Sequence, residues 1–128
     1  MLINKNNIVL FILIVIYSLI FMSCSNKINK YHERHYQELL CNKLDGKMEY
    51  VLKDRTRVDC LTDEYAIEVD FAKKWAQSIG QSLFYGYMTG KKPAIAIIMD
   101  NKDKRYFKRV NLVAKKQKIK IFILEKEN

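Results

Sequence analysis

Acidic and polar residues at regular spacing mark positions 57–85 as the part of the chain that could carry chemistry. Asp59 lies in one predicted strand. Glu68 and Asp70 lie in the next, on one face, because side chains alternate along a strand. The predicted helix that follows carries a polar stripe at 3.6 residues per turn, formed by Lys74, Gln81 and Tyr85. Carboxylates brought together repel unless a proton or a cation separates them, so a metal site is one natural interpretation.

The surrounding pattern predicts the elements that would bring these residues together. Predicted helices cover residues 31–43, 72–89 and 106–116, and predicted strands cover 47–52, 57–61, 65–71, 94–99 and 118–124. The strand at 94–99 is apolar on both faces, which is typical of an inner strand covered by helices. No repeat, low-complexity segment or linker divides residues 31–128. The sequence therefore predicts one α/β domain with the order αβββαβαβ.

That order and those residues resemble the PD-(D/E)XK superfamily of metal-dependent nucleases. The resemblance extends over residues 31–100. Asp59 matches the first acid of the motif, and residues 68–70 stand where the family has (D/E)-x-K. Residues 81–85 match the QxxxY helix element of the RecB-type nucleases.

The resemblance implies a restriction-endonuclease-like αβββαβ core. A central mixed sheet would be flanked by helices, with a C-terminal helix and strand added. It also implies a Mg²⁺ or Mn²⁺ ion held by Asp59, Glu68 and an acid of the first helix. Glu33 matches that helix acid, and Glu38 is the second choice.

One position departs from the family pattern, because Asp70 stands where a lysine is usual. In such nucleases that lysine steers the attacking water and neutralises developing charge, and some members supply it from the following helix. Lys73 and Lys74 are the candidates here. Lys74 shares the polar stripe of the helix, whereas Lys73 is rotated from it by about 100°. We therefore assign the role to Lys74.

These residue types suit phosphodiester hydrolysis. Mg²⁺ prefers oxygen ligands and keeps coordination positions open for water and phosphate. A lysine near the nucleophile would stabilise charge electrostatically, and Gln81 and Tyr85 would orient the phosphate or a base. The predicted catalytic residues are Asp59, Glu68, Asp70 and Lys74, and the predicted metal ligands are Asp59, Glu68 and Glu33.

Other interpretations stay open. If neither lysine reaches the site, the domain binds nucleic acid or a protein partner without cleaving it. Glu68 and Asp70 would alternatively form the solvated face of an edge strand. A further alternative is a structural lipoprotein in which the acids are incidental.

The charge balance also bears on partners. The formal net charge of +9 favours phosphate-bearing or anionic-membrane partners. In the basic run at 102–109, KDKRYFKR, cations alternate with two aromatic residues, as in many nucleic-acid grooves. The alternative for this run is a solvated helix start.

The N-terminal residues predict export. Residues 1–24 combine Lys5 with an apolar run that suits a signal peptide better than a spanning helix. The run ends Phe-Met-Ser-Cys and resembles a bacterial lipobox, with Cys24 as the lipidated residue. Residues 25–30 would then tether the domain to a membrane. The alternatives are an uncleaved anchor, an ordinary signal peptide, or translation from Met22, which would give a cytoplasmic protein.

The three cysteines form no CxxC pair and no zinc pattern. Cys60 follows Asp59 and should therefore point into the core, and Cys41 ends the first predicted helix. We expect two buried thiols, while export to an oxidising compartment would allow a disulfide.

Overall fold

The computed structural model describes residues 33–127 together with Val9. The rest of the predicted leader, Cys24, Met22 and the tether at 25–30 lie outside the described residues. Within the described residues, no helix is both long and apolar enough to cross a membrane.

Residues 33–127 contain three helices and five strands. The helices are α1, which is described over 33–43, α2 (Trp75–Thr89) and α3 (Lys104–Gln117). The strands are β1 (Lys47–Val51), β2 (Arg57–Leu61), β3 (Tyr65–Phe71), β4 (Lys92–Met99) and β5 (Lys120–Glu125). Single 3₁₀ turns at Ala72–Lys74 and Asn101–Asp103 precede α2 and α3. The predicted order αβββαβαβ is confirmed over these residues.

The five strands form one mixed sheet in the order β1-β2-β3-β4-β5. The strands β1, β2 and β3 pair antiparallel, whereas β3, β4 and β5 pair parallel. The parallel half needs a helical crossover after β3 and another after β4, and α2 and α3 supply them. Residues 94–98 of β4 are buried, so the predicted inner strand is confirmed.

Helices cover both faces of the sheet. On one face, Tyr36 and Leu40 of α1 pack with Ile67 and Val69 of β3. On the other face, α2 and α3 pack over the opposite side of β4. The buried side of α2 includes the small residues Ser78, Ser82 and Gly86, which let this helix lie close to the strands.

The strands β2 and β3 separate at one end. Their paired residues are Cys60 with Ile67 and Leu61 with Ala66, and no further pair follows toward Asp59. Beyond this point the backbone groups of the two strands need other partners. The separation opens one end of the sheet beside the start of α2.

A disulfide joins Cys41 of α1 to Cys60 of β2. The prediction that both cysteines are buried free thiols is therefore wrong. Both residues are fully buried. A Cβ at Gly46 would lie 2.5 Å from the Cys60 sulfur and 2.8 Å from the Cys41 sulfur, so only glycine fits there. The bond ties α1 to the strand that carries Asp59.

Candidate active site

A cleft of about 350 Å³ lies where β2 and β3 separate. It is bounded by α1, the β1–β2 hairpin and α2. Its lining includes all seven residues predicted as catalytic, metal-binding or substrate-binding: Glu33, Asp59, Glu68, Asp70, Lys74, Gln81 and Tyr85. The further lining residues are Glu49, Arg55, Thr56, Arg57 and Gln77.

The side chain of Asp59 replaces a backbone hydrogen bond that β2 no longer makes to β3. Its Oδ2 accepts the backbone N–H of Val69 at 2.7 Å, so the amide is satisfied although the strands have separated. Burial and the charge of Glu33 raise the pKa of Asp59 to about 7, although the hydrogen bond from Val69 lowers it. Asp59 is therefore held as an acceptor in a place that disfavours its charge.

Glu68 is the most strongly perturbed acid of the cleft. It is 5% exposed, and its Oε2 is buried without a hydrogen-bond partner among the described residues. Burial, together with the charges of Asp59 and Asp70, raises its pKa to about 9. A buried carboxylate with an unpaired oxygen needs a proton or a cation.

Asp70 and Glu33 share one cation. The Lys74 Nζ lies 3.0 Å from Asp70 Oδ1 and 3.1 Å from Glu33 Oε2. Desolvation lowers the pKa of Lys74, but the two hydrogen bonds outweigh it, so the net shift is upward. Burial raises the pKa of Glu33 despite the hydrogen bond from Lys74. Lys73 is exposed and does not line the cleft.

Gln81 and Tyr85 meet one turn apart on α2. The Gln81 amide donates to the Tyr85 hydroxyl at 3.3 Å, and the Gln81 Oε1 is buried without a partner among the described residues. Burial raises the pKa of Tyr85, while the Gln81 hydrogen bond opposes the increase. Because the hydroxyl accepts from Gln81, its own proton remains available to a ligand.

The acids do not form a solvated strand face. β3 lies between β2 and β4, and Glu68 and Asp70 are 5% and 2% exposed. The edge-strand interpretation is therefore wrong. Glu38, the second choice for the helix acid, is exposed and pairs with Arg34 at 3.1 Å.

Sequence reasoning missed a strained acid at the cleft wall. Glu49 has φ of 50°, a left-handed conformation that is rare for a residue with a side chain. Its carboxylate accepts from Gln37 at 3.0 Å and pairs with Arg57 at 2.8 Å. The Gln37 amide also donates to the Asp59 carbonyl at 3.1 Å. The predicted β1–β2 hairpin is the signal that could have found it, because the pairs Met48–Cys60 and Tyr50–Val58 flank Glu49 and Asp59.

No protein-family model, curated protein or solved structure matches this chain. What the cleft can do chemically is therefore inferred from the residues that line it.

The donor set fits a hard divalent cation. Within residues 33–127, no three His, Cys, Asp or Glu side chains already meet the geometry of a metal site. The fit rests instead on chemistry: the oxygen donors are carboxylates, and one buried Glu68 oxygen has no partner. Asp59, Glu68 and Glu33 are the residues that would hold the ion. The Lys74 ammonium group contacts both Glu33 and Asp70.

Proposed function

We propose that this domain is a metal-dependent nuclease of the PD-(D/E)XK type, with a restriction-endonuclease-like core. The observation that carries the proposal is Glu68. A carboxylate that is 5% exposed, unpaired at one oxygen and close to Asp59 and Asp70 is costly unless it serves a ligand. The αβββαβ order of the described residues supports the proposal.

Asp59, Glu68 and Glu33 would hold Mg²⁺ or Mn²⁺. When bound, the ion would polarise a phosphoryl oxygen and lower the pKa of a water molecule. The protein fixes Asp59 through the Val69 amide and Glu68 through the buried strand β3. This rigidity keeps the ligands in place without reorganisation during the reaction.

Lys74 takes the place of the lysine that the family pattern has at position 70. Asp70 and Glu33 hold its ammonium group at the edge of the acid cluster, while half of the side chain stays exposed. An ammonium there would stabilise negative charge on a phosphate that enters the cleft. Asp70 acts in this scheme as a positioning residue for Lys74.

The opposite wall supplies further contacts for a phosphodiester. Arg55 and Arg57 line the cleft, and guanidinium groups bind phosphate through paired N–H donors. Gln81 and Tyr85 offer an amide and a hydroxyl proton for orienting the substrate.

One experiment tests this function. The protein is incubated with single- and double-stranded DNA and RNA in Mg²⁺, Mn²⁺ or chelator, beside its Glu68→Gln variant. We expect cleavage that needs the metal and Glu68. Binding without metal-dependent cleavage would instead support the second candidate, a nuclease-fold module that holds nucleic acid or a protein. Asp70 in the usual lysine position favours that candidate.

We also propose that the protein is exported and anchored to a membrane through Cys24. The Cys41–Cys60 disulfide supports this location, because disulfides persist in oxidising compartments. Translation from Met22 would place the same domain in the cytoplasm.

A further inference from the structure

The exposed face of α3 is a dense cationic surface. The helix contains six cations and no acid: Lys104, Arg105, Lys108, Arg109, Lys115 and Lys116. All six are exposed, and none forms an ion pair within residues 33–127. Because each residue advances 100° around a helix, the six cations form two rows along α3. Lys104, Lys108 and Lys115 form one row, and Arg105, Arg109 and Lys116 form the other.

Leu112 lies between the two rows and is 63% exposed. The opposite side of the helix, with Val110 and Ala114, is buried against the sheet. Arg105 and Arg109 both stack over the ring of Tyr106, at 4.6 and 5.9 Å from its centroid. The second row is therefore partly ordered before any ligand binds.

The shape of this surface selects among polyanions. The cations cover about 140° of the circumference, so the two rows diverge from each other rather than point toward one plane. The apolar side of α3 packs into the core, so Leu112 is the one exposed apolar side chain of this helix that could insert into lipid. A concave groove bordered by two rows of phosphates would contact both rows at once.

We infer that α3 binds the major groove of B-form duplex DNA, with its two rows on the two phosphate backbones. The groove is about 12 Å wide, and a helix with its side chains is about 10–12 Å across. The major groove of duplex RNA is too narrow for side chains to enter, so DNA is the preferred duplex. None of the α3 residues lines the cleft. The surface stands without the proposed nuclease activity, although duplex DNA as its substrate rests on that proposal.

The test uses the full chain in chelator, with a labelled 20-base-pair DNA duplex and fluorescence anisotropy over a salt series. Lys108→Gln with Lys116→Gln removes one cation from each row. Lys43→Gln with Lys47→Gln, also exposed, is the matched control for net charge. We expect the α3 pair to weaken binding at least about tenfold and to make the log–log salt slope shallower by about 2. The control should change affinity by less than about twofold.

Competing duplex RNA and phosphatidylglycerol vesicles complete the experiment. Equal loss in both double variants would overturn the inference, as would RNA binding as tight as DNA binding. Loss of vesicle binding without loss of DNA binding would overturn it in favour of a lipid surface. Cleavage is scored separately. If the protein cleaves DNA and the α3 variants bind it as tightly as the wild type, this inference alone is overturned. If binding depends on α3 but no cleavage occurs, the nuclease proposal alone is overturned.

Discussion

The Oδ2 of Asp59 accepts the backbone N–H of Val69 at 2.7 Å. A side chain thus completes the hydrogen bonding of β3 at the point where β2 leaves it. The same carboxylate borders the cleft beside Glu68. One residue therefore serves both the sheet and the candidate site, and its substitutions can separate the two roles.

Asp59→Asn and Asp59→Ala both remove the charge, but only asparagine keeps an acceptor for Val69. We expect Asp59→Ala to be less stable than Asp59→Asn by about 1–3 kcal/mol, because a buried amide loses its partner. Urea unfolding in chelator measures the difference. Both variants should lack cleavage. Equal stability of the two would contradict the role of this hydrogen bond.

Stability without metal should fall as pH rises from about 4 to about 9. The folded pKa values of Asp59 and Glu68 are about 7 and about 9, against ordinary values of 3.8 and 4.5. Between these pH values the folded state therefore binds more protons than the unfolded state. The stabilisation from these bound protons is complete only below about pH 4. Denaturant unfolding at several pH values checks this.

Glu68→Gln is the control for this pH dependence, and it should flatten the decline between pH 7 and pH 9. Mg²⁺ should stabilise the wild type more at pH 8 than at pH 5, because the ion replaces the proton. A variant that declines as steeply as the wild type would refute the assignment.

Lys74→Ala should reduce cleavage by about 10²–10³-fold, the usual loss for one charge-stabilising donor. It should also lower the melting temperature slightly, because buried Asp70 loses its cation. Lys73→Ala is the matched control and should retain activity within about twofold. Activity assays on both variants decide the matter. Similar losses of activity in the two variants, or no loss in either, would contradict the role assigned to Lys74.

Reduction of the disulfide should destabilise the protein by about 3 kcal/mol, given a separation of 19 residues between its cysteines. Thermal unfolding with and without reductant measures this cost. The Cys41→Ser, Cys60→Ser double variant should show no response to reductant. Recovery of both cysteines as alkylated thiols from the untreated protein would be incompatible with the bond.

Cys24→Ser should release the protein from membranes or leave its leader uncleaved. A lipoprotein cysteine carries several acyl chains, which together give a stable anchor. Cell fractionation and mass spectrometry of the N-terminus test this. A cytosolic species that begins at unmodified Met22 would rule out the anchor.

The element order and the polar stripes were predictable because they follow from local periodicity. Glu68 and Asp70 alternate with apolar residues in β3, and α2 repeats its polar positions each turn. Boundaries were less predictable. β4 begins two residues early, at Lys92, because its parallel pairing with β3 starts at Tyr65. α3 begins early because Asp100 and Asp103 cap the turn before it.

The features that sequence reasoning missed depend on contacts between elements. Glu49 adopts its left-handed backbone beside partners from α1 and β2, Gln37 and Arg57. The disulfide likewise depends on how α1 lies over the sheet, which periodicity does not fix. The solvated-edge alternative failed for the same reason, since strand order is a property of the whole sheet.

The disulfide also shortens the covalent path between Glu33 and Asp59. Along the backbone these acids are separated by the rest of α1, the whole of β1 and the first two residues of β2. Through the bridge, two turns of α1 lead almost directly to Asp59. Oxidation would therefore remove much of the loop-closure entropy that opposes bringing the two acids together. An oxidised chain should assemble this part of the cleft early in folding, before the parallel half of the sheet has paired.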